Sequence, residues 1–218
     1  MDVDDEVLAV ARDRVRREAR AVASVADQMT SAIADVARLV VDCPGKLFIA
    51  GSGTSGTIAR RMAQILSVTG TPAVFLSPMD ALHGMLGAVT SKDVVLLVSN
   101  GGASSEINEL AARAGERGTR VVALTGDPAS ELAAKADICA VVQVADGADI
   151  GDTIATGVTL AQAAWGDALA EILMRARGYS WESMLFTHPA GAVGKLPAPP
   201  QPLAPLRLTS ATKGATSW

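Results

Sequence analysis

The sequence predicts an α/β fold: a doubly wound, five-stranded parallel sheet flanked by helices, a three-layer sandwich. Three observations carry that expectation. Apolar runs without polar alternation, at 46–50 and 94–98 foremost, read as strands covered on both faces, as in a parallel sheet. Strand-like runs alternate with helical periodicity through the middle of the chain. Twice, such a strand runs directly into a loop of Gly, Ser and Thr that opens a helix, at Gly51-Ser-Gly-Thr-Ser-Gly56 and at Ser99-Asn-Gly-Gly-Ala-Ser-Ser-Glu106.

The elements follow in order. Residues 4–42 carry apolar positions at three-to-four spacing (Val7, Val10, Val22, Val25, Met29, Ile33, Val36, Val40) and read as helical until Pro44-Gly45. Strands are expected near 46–50, 73–76, 94–98, 120–124 and 138–144, with helices at 55–69, 79–86, 104–117 and 128–135. From Thr153 to Arg177 one apolar stripe (Ile154, Val158, Ala161, Trp165, Ala168, Ile172) predicts a long helix that stops at Gly178. Five of the ten prolines fall between 197 and 205, so the tail forms neither regular helix nor inner strand. It is expected to be an extended arm or disordered. The chain thus divides into an N-terminal helical segment packing on the domain (1–42), an α/β domain (43–196) and a Pro-rich tail (197–218).

Bulk composition narrows the function. With 218 residues and 49% hydrophobic content, one domain with a full core is expected. A net charge of −4 argues against a nucleic-acid surface, which needs clustered Lys and Arg, and the arginines at 12–20 are interleaved with acids as on a solvated face. Two cysteines, Cys43 and Cys139, have neither metal-ligand spacing nor a disulfide framework, and no metal is expected. The N-terminus lacks signal-peptide order, and no apolar run approaches the roughly 20 residues that span a bilayer. A cytoplasmic protein with no membrane partner is the expectation.

The two loops suggest a ligand. Glycines let backbone amides approach an anion, a helix start offers unpaired N–H groups and partial positive charge, and Ser and Thr add hydroxyl donors. The natural ligand is a phosphate, with Ser52, Thr54, Ser55, Ser99, Ser104 and Ser105 as candidate contacts. The simpler reading is that these residues only turn and cap the chain. Neither loop fits the P-loop pattern, and the strand near 73–76 closes on Ser77-Pro78 with no acid to hold a ribose, which argues against a dinucleotide site and the oxidoreductase that would use it.

Together with the two loops, His83-Gly-Met-Leu-Gly87, Leu124-Thr-Gly126 and Thr187-His-Pro-Ala-Gly-Ala-Val-Gly194 come in an order that resembles the sugar isomerase (SIS) domain family, and within it the arabinose-5-phosphate isomerase branch. The resemblance covers residues 20–196. It implies a phosphosugar aldose–ketose isomerase with a cis-enediol mechanism, no metal or organic cofactor, and a homodimer or homotetramer with sites at subunit boundaries. Longer members carry paired CBS modules beyond this point, and this chain is expected to lack them.

Residue by residue, the resemblance makes His188 a catalytic acid/base and sets His83 in the same pocket or an adjoining subunit's. These are the only histidines in the chain; a lone histidine is ordinarily structural, yet imidazole also suits proton transfer near neutral pH. Glu106 matches a carboxylate of the family's site, although an acid in a first helical turn also gains from the dipole alone. Three positions depart from the branch. Thr54 replaces a lysine, Gly147 replaces a glutamate near which Asp146 and Asp149 stand, and Gly101 and Ala103 replace a serine and a glutamate. A non-catalytic SIS module that binds or senses a sugar phosphate is therefore the alternative.

Overall fold

A computed structural model of the chain describes residues 2–208. The sheet holds β1 (Leu47–Gly51), β2 (Ala73–Phe75), β3 (Val94–Val98), β4 (Arg120–Thr125) and β5 (Ile138–Val141), in the order β2-β1-β3-β4-β5 with every pairing parallel. β1 and β3 are buried along their whole length, as unbroken apolar runs require of central strands. The shorter β2 and β5 take the edges, where part of each stays exposed.

Alternation within the strands divides the core in two. Leu47, Ile49, Leu96 and Val122 pack against α2 (Ser31–Val41), α3 (Gly53–Val68) and α7 (Gly157–Arg177). Phe48, Ala50, Leu97 and Ala123 face α5 (Ser105–Glu116), with α4 (Pro78–Leu82) and α6 (Glu131–Lys135) completing that layer. From β1 the chain crosses outward to β2, and from β2 it returns past β1 to β3. The sheet therefore has its topological switch point between β1 and β3, where open α/β sheets bind ligands.

The N-terminal segment departs from the expected continuous helix. α1 (Val3–Ser24) ends at a short 3-10 turn, Ala26–Gln28, and α2 starts afresh because Thr30 caps it through Oγ1, accepting from the Ala32 N–H at 3.3 Å. Gln28 occupies the break: its side chain donates to the Gln143 carbonyl at 2.8 Å and accepts from the Gln143 N–H at 2.7 Å. Within α1 only Ala21 is buried, and Val3, Val7, Val10 and Val15 face outward.

The long helix also starts later than its apolar stripe suggested, at Gly157. Asp149 reaches forward and accepts from the N–H groups of Thr156 (2.9 Å) and Val158 (3.0 Å), which leaves Ile154 in the preceding loop. Gly178 closes the helix in the left-handed conformation (φ 62°), as expected. An unpredicted helix, α8 (Trp181–Thr187), follows, capped by Ser180. Residues 197–208 then run extended along α7 and α8: Trp181 Nε1 donates to the Gln201 carbonyl at 2.9 Å and Arg175 Nε to that of Ala204 at 2.8 Å. The remainder of the Pro-rich tail, 209–218, lies outside the described residues. Among those described, no helix is long and apolar enough to cross a membrane.

At the amino edge of the sheet, one buried carboxylate ties the two central strands together. Asp93 accepts from the Lys46 N–H, the Thr90 N–H and the Thr90 hydroxyl, each at 2.7 Å. Burial pushes its carboxyl up, but these hydrogen bonds outweigh that and hold it below the ordinary value of 3.8. A depressed carboxylate stabilises the fold above its unfolded pKa and loses that contribution as pH falls through the folded one. Asp93→Ala is expected to cost on the order of 3 kcal/mol at neutral pH, a fall in Tm of about 6–12 °C. The wild-type advantage should persist above pH 4 and shrink below it, as thermal melts of both proteins across pH 2.5–7 would show.

Candidate functional site

Register decides where the loops meet. Gly51 pairs with Val98, so β1 and β3 end side by side at the carboxyl edge and release their loops next to each other. Gly51 and Gly56 permit the first turn: a Cβ on Gly51 would lie 2.8 Å from the Ser55 carbonyl oxygen, and one on Gly56 would lie 2.7 Å from that of Gly51. Only bare backbone lets α3 start this close to its strand.

Ser52 and Ser104 occupy the N-cap positions of α3 and α5, yet neither hydroxyl caps its helix. Thr30, Ser77, Ser130 and Ser180 each accept from an N–H of their own helix. The first-turn N–H groups of α3 and α5 are thus not taken by their N-cap side chains. The second loop is held from behind. The Asn100 carbonyl accepts from Thr125 Oγ1 (2.9 Å) and the Gly126 N–H (2.8 Å), and the Gly102 carbonyl accepts from Asn108 Nδ2 (3.0 Å) and the Leu132 N–H (3.1 Å). Its acceptors are turned into the protein.

An open cleft of ≈ 810 Å³ lies between the start of α3, the end of β2 and the first turn of α5, with Ser52, Thr57, Arg60, Arg61, Phe75 and Glu106 on its walls. Glu106 is half-buried. The Ser52 hydroxyl, its own backbone N–H and the Ser105 hydroxyl (3.4 Å) stabilise its anion and hold its carboxyl below the ordinary 4.5, so it is a carboxylate at neutral pH. Arg61 makes a two-point ion pair with Asp167 of α7, at 2.7 and 2.9 Å, and the carboxylate raises the guanidinium pKa. The Arg60 guanidinium stands over the Phe75 ring, 4.2 Å from its centroid.

The sequence candidates divide into those this edge gathers and those it does not. Ser52 and Glu106 share the cleft; Thr54 and Ser55 stand in the adjoining first turn of α3; Ser104 and Ser105 open α5; Ser99 is buried at the end of β3. His83 ends α4 as an exposed residue and is not on the cleft wall. His188 ends α8, and its Nδ1 is buried without a hydrogen-bond partner among the described residues. α8 is rooted at the opposite edge of the sheet, where the Tyr179 ring packs on Gly70 in the turn between α3 and β2. His188 is not on the cleft wall that Glu106 lines.

The segment after β5 stands at the far edge of the sheet from the cleft. Gly147 has φ +76°, and the place its Cβ would take is filled by Arg17 Nη1 of α1. Arg14 donates to the Gly147 and Ala148 carbonyls. Neither neighbouring acid stands in simply for a glutamate here, since Asp149 caps α7 and Asp146 sits beside Arg17 and Arg20. Sequence reading missed the Arg60–Phe75 and Arg61–Asp167 pairs. Each joins residues distant in the chain, and no spacing rule connects them.

Known proteins share this sequence pattern and fold. The chain is 42% identical over 153 residues to the arabinose 5-phosphate isomerase KdsD of Escherichia coli K12, covering 70% of this chain and 47% of that protein. It is 32% identical over 192 residues to the arabinose 5-phosphate isomerase GutQ of the same strain, covering 88% and 60%. The chain therefore spans about half the length of the curated relatives it matches. Among solved structures, the c3406 protein of E. coli CFT073 in complex with arabinose 5-phosphate superposes with a TM-score of 0.82 at 30% identity, over 87% of this chain and 100% of that one. The Vibrio vulnificus NanR protein complexed with ManNAc-6P shares the fold, with a TM-score of 0.62 at 19% identity, over 83% and 63%. A family model described as the SIS domain matches residues 40–172, and with the sheet order, the paired helix starts and the cleft it establishes that the chain belongs to the SIS domain family.

Proposed function

We propose that the chain is a phosphosugar aldose–ketose isomerase working through a cis-enediol. The observation that carries the reading is Glu106, a carboxylate held ionised by the Ser52 hydroxyl in a cleft between two helix starts whose N-cap serines do not cap. The phosphate docks on the first-turn N–H groups of α3 and α5 with the hydroxyls of Ser55 and Ser104 around it, those of Ser52 and Ser105 being given to Glu106. Glu106 then takes the proton from the carbon beside the carbonyl and returns it to the neighbouring carbon. Similarity to KdsD and GutQ and to a structure holding arabinose 5-phosphate supports this substrate class. A cytoplasmic location goes with a phosphosugar substrate.

His188 serves ring opening and hydroxyl proton transfer, and it reaches Glu106 from a second copy, because its own α8 is rooted at the opposite sheet edge. The active species is thus a homo-oligomer, and the outward valines of α1 supply apolar surface for it. A binding module without turnover is the competing reading, favoured by Arg17 filling the place of a side chain at Gly147.

Inorganic phosphate in hundredfold excess over its Kd should stabilise the fold by about 2.7 kcal/mol, raising Tm by about 5–10 °C. No shift with phosphate or any phosphosugar would remove the cradle. His188→Ala should lower kcat by about a hundredfold or more while phosphosugar binding survives. Co-expressing it with inactive Glu106→Gln should recover part of the activity, as only mixed assemblies rebuild an intact site. Thr54→Lys should raise turnover of pentose 5-phosphates. If phosphosugars bind but neither isomerisation nor solvent-proton exchange is detected, with or without that lysine, the protein is a binding module.

A further inference from the structure

Proton abstraction beside a carbonyl sends the carbon's electron pair into a new C=C bond and pushes charge onto the carbonyl oxygen. A cleft lined by Glu106 needs a positive or hydrogen-bonding group to receive that charge. Two cations stand on its walls, and they are not equivalent. Arg61 is occupied by Asp167 through two hydrogen bonds, so its charge is already neutralised. Arg60 makes no ion pair among the described residues, including with Asp80, the other acid on the cleft wall.

Arg60 is also held in place. The Phe75 face beneath it, at 4.2 Å, fixes the guanidinium plane while leaving the N–H edges unobstructed. Phe75 closes β2 in register with Ile49, two residues before β1 ends at Gly51, so the stacked cation lies level with the floor of the cleft. Helical side chains lean toward the helix N-terminus, which tilts Arg60 back toward Ser52 and the start of α3. A guanidinium offers only N–H donors and no acceptor lone pair, so it donates to an oxyanion without taking up the proton that Glu106 moves.

We infer that Arg60 is a catalytic residue of this cleft, donating to the oxyanion of the enediolate, and that Phe75 is its positioning residue. The inference rests on the isomerase reading. In the step, Glu106 takes the carbon-bound proton, the pair it leaves forms the C=C bond as the C=O π pair moves onto the carbonyl oxygen, and Arg60 hydrogen-bonds that oxyanion; the proton of the hydroxyl on the deprotonated carbon then passes to the oxyanion by way of His188, and as that hydroxyl oxygen becomes the new carbonyl Glu106 returns its proton to the former carbonyl carbon, so no oxidant or reductant enters.

The test compares wild type, Arg60→Ala, Arg60→Lys and Phe75→Leu with arabinose 5-phosphate and ribulose 5-phosphate as probes. Arg60→Ala should lose about 10²–10³-fold in kcat with KM changed less than about threefold, because the oxyanion exists only after substrate binds. Arg60→Lys should keep an intermediate kcat, and added guanidinium ion should restore part of the Arg60→Ala activity without affecting wild type. Phe75→Leu should lower kcat less than Arg60→Ala does. An active wild type with kcat undiminished in Arg60→Ala overturns this inference alone, as does a loss confined to KM, which would make Arg60 a ground-state anchor. A wild type inactive on both probes overturns the isomerase reading and this inference with it.

Discussion

The parallel pairing of β1 with β3 is the constraint on which the rest of the molecule depends. Because Gly51 stands opposite Val98, both strands end at the same level, and because their crossovers run to opposite faces, their helices start side by side without colliding. The buried runs make that register costly to change: a slip of one residue would exchange the sets Leu47/Ile49 and Phe48/Ala50 between two differently shaped core layers. Asp93 fixes the same pair from the other end by binding backbone N–H groups of Lys46 and Thr90. The site is thus a consequence of how two central strands are joined.

Capping differs among the helices. A side-chain N-cap contributes about 1 kcal/mol, and among the described residues four helices have one from Ser or Thr. The two helices at the switch point forgo it. Ser52 instead stabilises the Glu106 anion, which couples the first loop to the second helix and sets the charge of the cleft. On the opposite wall the cations are sorted in the same way, one joined to Asp167 and one laid on an aromatic face.

α1 matters less as core than as a cover. Its valines are largely exposed, but Arg14 holds the loop after β5 through the Gly147 and Ala148 carbonyls, and Arg17 fills the place of a side chain at Gly147. Within one subunit this loop, α8 and the cleft occupy three separate parts of the surface. Under the proposed function, assembly of copies is what would bring groups so far apart to one substrate.

Much of the fold was legible in the residues themselves. Solid apolar runs specify strands buried on both faces, helical periodicity specifies the covers, and Gly and Ser at strand ends specify where a chain turns into a helix under an anion; these are local properties, fixed by backbone geometry and by what a residue does to its own few neighbours. Ser52 and Ser104 could therefore be placed at helix starts without coordinates, while Glu106 was singled out by the family resemblance. Helix limits were less legible, because Gln28, Thr30 and Asp149 act through partners that spacing does not reveal, and the helix at Trp181–Thr187 is braced by a strand of tail. Only the tertiary structure decided that Arg60 lies on Phe75 while Arg61 is taken by Asp167, and that His188 is not on the cleft wall. Adjacent arginines on one helix are alike in sequence, and what separates them is which distant side chain the packed layers bring within a few ångströms.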